Sequence, residues 1–222
     1  MALVGWPSIP AAVLATGLAL TTPAQANLLL NPGFETGSFS NWSASSGTSV
    51  VACAGLPVGC APSGGTYAAA INTTLGNVNA NVTQTVILPG PGRYSFGAYL
   101  TFVTNNAAGN FDQGQISLTV QIVGGASETV GFDSNALNGQ FTIDVGSGFF
   151  ATPWMLLSDT LLYSGVGPAS AIISINVQNF SSAITGIGAN NAFVEGLPEP
   201  ATLFLVGSGL IGLAMRSRRR RA

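Results

Sequence analysis

Apolar and polar residues alternate along most of the middle of the chain. Between Tyr94 and Phe102 the residues Tyr94, Phe96, Ala98, Leu100 and Phe102 fall on one side and Ser95, Gly97, Tyr99 and Thr101 on the other. A strand points successive side chains to opposite faces, so this period of two predicts a half-buried strand. Ile116, Leu118, Val120 and Ile122 alternate in the same way with Gln115, Ser117, Thr119 and Gln121, and Ile173, Ile175 and Val177 with Ser174, Asn176 and Gln178. Less regular stretches predict further strands at Tyr67 to Ile71, Val82 to Leu88, Glu128 to Phe132, Phe141 to Val145 and Asn191 to Glu195. Met155 to Leu162 fits a short helix or a strand. No other window between the chain ends carries an apolar period of 3.6 over three turns. Pro89-Gly90-Pro91-Gly92, Gly124-Gly125, Asn138-Gly139 and Gly146-Ser147-Gly148 are turn signals between these segments. Many short strands so punctuated predict an all-β fold, an antiparallel sandwich or barrel.

The two ends break this pattern. Ala11 to Leu20 is continuously apolar, and Ala24-Gln25-Ala26 has the small-x-small form of a signal-peptidase site, so residues 1–26 read as a signal peptide with the mature chain starting at Asn27. The usual basic residues ahead of the apolar stretch are missing. At the other end, residues 197–222 run from Leu197-Pro198-Glu199-Pro200 through the apolar Ala201 to Met215 to Arg216 and Arg218, Arg219, Arg220 and Arg221. As a helix the apolar stretch spans about 22 Å of a hydrocarbon layer about 30 Å thick, which is short for a lasting anchor. Carrying a guanidinium to the bilayer centre costs about 2.5–3.5 kcal/mol, so the arginine cluster fixes orientation, its own side cytoplasmic and the preceding chain outside.

Residues 27–196 are enough for one domain with a sizeable core. In this body Arg93 is the sole cation against Glu35, Asp112, Glu128, Asp133, Asp144, Asp159 and Glu195, a balance hidden by the whole-chain charge of −2. With no basic patch and no lysine, nucleic acid is excluded as a partner, and anionic polysaccharide is repelled; a neutral glycan is not.

Pro198-Glu199-Pro200, followed by a short apolar stretch and a terminal arginine cluster, resembles the PEP-CTERM sorting signal of Gram-negative, exopolysaccharide-producing bacteria. The resemblance implies recognition by an exosortase, a membrane-embedded cysteine transpeptidase that cuts near that tripeptide. It also implies transient residence in the inner membrane and delivery to the envelope, the surface or the medium. The opening of the mature chain, Asn31-Pro32-Gly33-Phe34-Glu35-Thr36-Gly37 with Trp42 after it, together with Gly64 to Ala68, Gln84 to Val86 and Arg93 to Phe96, resembles galactose-binding-like jelly rolls, which include carbohydrate-binding modules. That likeness implies a jelly-roll-like β-sandwich. It also casts Glu35 as a ligand of a structural calcium whose usual partner, an Asp of the last strand, is replaced here within Ala189-Asn190-Asn191. The other reading of Glu35 is an acceptor of backbone hydrogen bonds in a turn. Calcium apart, no cofactor is expected.

Catalysis finds little to work with. The chain has no histidine, which removes Ser-His-Asp and Cys-His arrangements and the usual zinc sites. Asp133 with Asp144, or Asp112 with Glu128, are the carboxylate pairs open to glycosidase chemistry, but each reads first as a turn or solvated residue. Cys53 and Cys60 are the only cysteines and lie in the exported body, where the simplest expectation is a local disulfide. Trp42 and Phe39 suit sugar stacking but fit a core role better; Tyr67, Tyr94, Tyr99, Trp154 and Tyr163 stay open between the two. Two readings remain. One is an exported non-catalytic surface or matrix protein associated with neutral exopolysaccharide and biofilm. The other is a carbohydrate-binding module with a defined glycan site.

Overall fold

The alternating stretches are strands in the computed structural model, which describes residues 26–56, 58–73, 79–104, 114–133, 139–146, 148–179 and 185–197. The signal peptide up to Gln25 and the sorting tail from Pro198 onward lie outside the described residues. Among the described residues twelve strands form two sheets, and every pairing is antiparallel. One sheet has five strands, in the spatial order β1 (Ser43–Ala44), β4 (Asn79–Leu88), β11 (Ala169–Asn179), β6 (Gly114–Ile122) and β7 (Ser127–Asp133). The other begins with β2 (Thr48–Ala52), β3 (Tyr67–Thr73), β12 (Thr185–Gly196) and β5 (Gly92–Thr104). Beyond β5, β10 (Met155–Tyr163) pairs with most of its length, while β9 (Phe149–Ala151), with β8 (Ile143–Gly146) outside it, pairs at its end. Spatial neighbours are mostly far apart in sequence, as the crossing connections of a jelly-roll-like sandwich require.

The period-two apolar residues meet between the sheets. Val82, Leu88, Leu118, Val120, Ile173 and Ile175 face Ile71, Phe96, Leu100, Leu161 and Ile187, all buried in one core. Burying side chains of this size contributes about 1.5–3 kcal/mol each, which is why the polar residues between them are turned outward.

Three strands carried no readable signal: β1 is two residues long, and β2 and β9 are too short to show a period. β12 starts at Thr185, six residues before the predicted point, because Gly186 and Gly188 supply no side chain to alternate; pairing with β3 and β5 on both sides holds them extended. The ambiguous segment after Trp154 is the strand β10, since β5 offers it a free edge and Leu157, Leu161 and Tyr163 point into the core. Phe141 and Thr142 precede the strand expected there, which runs Ile143–Gly146.

Candidate functional site

The outer face of the five-stranded sheet is open and uncharged along its central rows. Register places Ser43 opposite Thr83, Thr83 opposite Ser174, Ser174 opposite Thr119 and Thr119 opposite Thr129, so one row of hydroxyls crosses all five strands. Thr119 and Thr129 share a hydroxyl hydrogen bond of 3.0 Å. The next row runs Asn81, Asn176, Ser117 and Gly131. On the other side Thr85, Ile172 and Gln121 follow. Adjacent strands lie about 4.8 Å apart and same-face residues along a strand about 6.7 Å, so donors and acceptors repeat on a two-dimensional grid. Sequence shows the polar half of each strand; which strands adjoin, and therefore the rows, it does not show.

Around Gly188 the seven-stranded sheet is covered on its outer side. Trp154 lies across Gly188, where an added Cβ would stand 3.0 Å from the indole Cη2 and 2.7 Å from Thr101 Cγ2. The indole N–H donates to Gly59 O at 3.2 Å, tying the ring to the loop after β2. Thr101 Oγ1 donates to Thr152 O at 2.7 Å, and Thr152 Oγ1 accepts Phe102 N–H at 3.1 Å, so the polar atoms under this cover are paired. The candidate aromatics are mostly structural. Trp42 is buried, packs on Phe34 and donates its indole N–H to Asn31 O at 3.1 Å. Phe39 stands edge-on to Phe34. Tyr94 and Tyr163 are buried in the core, and Tyr67 and Tyr99 are half-buried.

Glu35 lies beside Asn190, two residues along β12 from Gly188. Its Oε2 accepts Thr66 N–H at 2.7 Å and its Oε1 accepts Tyr67 N–H at 3.4 Å, joining the opening loop to β3. Asn190 is fully buried beside it, with Nδ2 donating to Tyr67 O at 3.1 Å and Oδ1 accepting Asn191 N–H at 2.7 Å. Asn191, held at a φ of 46°, donates from Nδ2 to Ser63 Oγ and to Gly64 O. Glu35 Oε1, Asn190 Oδ1 and Asn191 Oδ1 crowd Gly33, where a Cβ would meet them at 3.2, 3.2 and 2.8 Å. Ca²⁺ takes six to eight oxygens, several of them carboxylates. Here one oxygen donor of the three is anionic, Asn190 Oδ1 is already engaged by a backbone N–H, and among the described residues no three His, Cys, Asp or Glu side chains gather. With one carboxylate where Ca²⁺ usually takes several, the set has the geometry of a hydrogen-bonded clasp.

Cys53 and Cys60 are neighbours but not bonded: both are free thiols, Cys53 buried and Cys60 exposed. Burial foremost, then the hydrogen bond and charge of Cys60 and the charge of Glu35, push the Cys53 thiol up to about 12. Cys53 therefore keeps its proton to higher pH than an ordinary thiol, and Cys60 is the solvent-exposed sulfur of the two. Of the carboxylate pairs, Asp133 is on β7 and Asp144 on β8, in different sheets. Asp144 Oδ1 accepts Gly146 N–H at 2.8 Å within β8, where the pairing with β9 shifts register, Glu128 is exposed at the start of β7, and Asp112 lies outside the described residues.

The processing residues Pro198, Glu199 and Pro200, the orienting Arg216, Arg218, Arg219, Arg220 and Arg221, and Ala24 of the signal site lie outside the described residues; Ala26 is exposed. β12 runs to Gly196, and Leu197 is still folded, its N–H donating to Arg93 O at 2.7 Å. The family model for the PEP-CTERM protein-sorting motif matches residues 197–220, immediately beyond this strand. The chain carries a PEP-CTERM sorting motif. The motif implies export and exosortase-dependent sorting to the envelope. No curated protein sequence matches the chain. Among solved structures, TmCBM61, determined in complex with β-1,4-galactotriose, is similar at 22% identity and a TM-score of 0.55, over 78% of this chain and 99% of that one. CBM28, a module specific for non-crystalline cellulose, is 12% identical with a TM-score of 0.46, covering 78% and 98%. A cyclase from Fischerella sp. TAU is 12% identical with a TM-score of 0.47, covering 80% and 100%. The first of these likenesses places the body that precedes the sorting motif in the β-sandwich fold of carbohydrate-binding modules.

Proposed function

We propose that this PEP-CTERM protein is an exported, non-catalytic component of the envelope or extracellular matrix. In this reading exosortase processes it near Pro198-Glu199-Pro200, and its sandwich associates with neutral exopolysaccharide in the surface layer or biofilm. The observation that carries the reading is the Ser43, Thr83, Ser174, Thr119 and Thr129 row with the amide row beside it. Hydroxyl and amide groups are matched to the hydroxyls of a neutral sugar polymer, whereas the acidic body repels an anionic one. The fold shared with a module solved with a galactose trisaccharide supports sugars as the partner class. No stacking ring stands in the described rows, so each hydrogen bond, exchanged against water, adds only about 0.5–1.5 kcal/mol. Affinity then comes from many weak contacts to an extended polymer, which distinguishes this reading from a module with one tight oligosaccharide site.

The test is a pull-down of the protein on insoluble neutral and on anionic polysaccharide, with Thr119→Glu and Ser174→Glu as a paired variant. Retention on the neutral polymer, lost in the variant and absent on the anionic one, is expected. Unchanged retention of the variant would refute the face assignment. Tight, saturable binding of a short oligosaccharide would favour the defined-site alternative. For the sorting half, replacing Pro198, Glu199 and Pro200 with alanine leaves uncut precursor in the inner membrane; normal cleavage of that variant overturns it.

A further inference from the structure

We propose that the end of the sandwich from which the sorting tail leaves is a membrane-apposed surface that rests in the lipid interface while the tail spans the bilayer. This rests on the sorting reading of residues 197–222. Seven large apolar side chains are exposed among the described residues, and five of them, Ile87, Val123, Leu162, Val166 and Leu197, gather at this one end. Ile87 and Val123 flank Ser170: Ile87 is its partner across the β4 and β11 ladder, and Val123 N–H donates to its carbonyl at 2.9 Å. Leu162 is opposite Arg93, whose carbonyl in turn holds Leu197. Val166, at the tip of the β10 to β11 loop, is 99% exposed, and Val123 and Leu162 are 60% and 57% exposed. A shallow cleft of about 360 Å³ opens between the two turns, lined by Val123, Gly124, Gly125, Leu162, Gly165 and Ala169.

Chain length leaves this end nowhere else to go. From the folded Leu197 to Ala201, where the apolar stretch begins, are four residue steps, which reach at most about 14 Å when fully extended. The polar layer on each side of the hydrocarbon core is itself about 5–7 Å thick. A body tethered so closely must present its exit end to the bilayer. A rim of apolar side chains gains about 25 cal/mol per Å² on leaving water there, where it would otherwise be a standing liability. Arg93, the body's one cation, is exposed at the same end and suits anionic headgroups. Glu195 and Glu128 lie at the same end, one residue in from the end of β12 and one in from the start of β7, so the apolar side chains rather than charge carry the contact. Loss of the tail on processing leaves only this weak rim contact, so release can follow cleavage.

The full-length precursor is placed in vesicles of phosphatidylethanolamine and phosphatidylglycerol carrying brominated acyl chains, without exosortase. Tryptophan is introduced at the rim by Val166→Trp and, in a separate variant, at the far end by Ser46→Trp. At least twofold quenching of the added Val166→Trp emission, with none for Ser46→Trp, is expected. Precursor that floats with the vesicles through its tail but shows no difference between the two variants overturns the inference and leaves the sorting reading intact; the rim would then be a contact for exosortase or another protein. Precursor that does not float at all overturns both.

Discussion

Asn27 and Val194 are 167 residues apart in the chain and hydrogen-bonded in the fold, Asn27 Oδ1 accepting Val194 N–H at 3.1 Å. Asn27 Nδ2 also donates to Ala192 O at 2.8 Å, and Leu28 N–H to Val194 O at 2.9 Å. The residue expected to become the amino terminus is thus docked on the strand that feeds the sorting tail. Replacing Asn27 with alanine should lower stability by about 1–2 kcal/mol, since two long-range hydrogen bonds go, as read from urea denaturation. Mass spectrometry of the exported protein should find Asn27 as its first residue.

Asn190→Ala should cost more, about 2–4 kcal/mol, because it strips partners from Tyr67 O and Asn191 N–H in a fully buried position. Glu35→Ala, at an exposed carboxylate, should cost about 1–2 kcal/mol. Thermal unfolding of the parent protein should be unchanged by EDTA or by added Ca²⁺. A clear upward shift of Tm with Ca²⁺, abolished by Glu35→Gln, would show that the clasp holds a metal after all.

Cys60 should react with iodoacetamide in the native protein while Cys53 stays protected until unfolding. The Cys53 thiol is raised from an ordinary 9.0 to about 12, so the folded state keeps a proton that the unfolded state loses. Its contribution is complete below pH 9 and is lost as pH rises towards 12. An oxidant of the exported compartment that takes up two electrons and two protons should join the two sulfurs, lowering the mass by two hydrogen atoms. The bond should raise stability by about 2.5 kcal/mol in the chain-entropy model for so short a loop, measured as a difference in urea midpoint with and without reductant.

Gly188→Val should displace Trp154. The new Cβ would crowd Thr101 and the indole, breaking the bond to Gly59 O. Overpacking of this kind costs about 1–3 kcal/mol, and tryptophan emission should shift to the red as the ring leaves its cover. Unshifted emission would mean that Trp154 does not depend on the glycine beneath it.

The strands with long apolar periods, β5, β6 and β11, were legible because each buries one face for its whole length. The hydrophobic effect there dictates the period, whatever the partner strand. β1, β2, β9 and the glycine-bearing start of β12 were not, because backbone pairing rather than side-chain burial makes them strands. At the clasp, Glu35, Asn190 and Asn191 were readable as candidates, but the choice between metal and hydrogen bonds depended on which backbone groups met them. The aromatic residues were least legible. A strand exposes every second side chain, and only packing showed Trp42, Tyr94 and Tyr163 committed to the core and Trp154 to a cover.

By itself the sequence determined the class of the fold and the sorting motif that follows it, since these come from local period and motif order. The tertiary structure alone decided which polar half-strands line up into one hydroxyl row, which sheet face is left open, and that the scattered Ile87, Val123, Leu162 and Val166 meet beside Leu197. Strand order and register are set by contacts between residues far apart in the chain, and no local pattern encodes them.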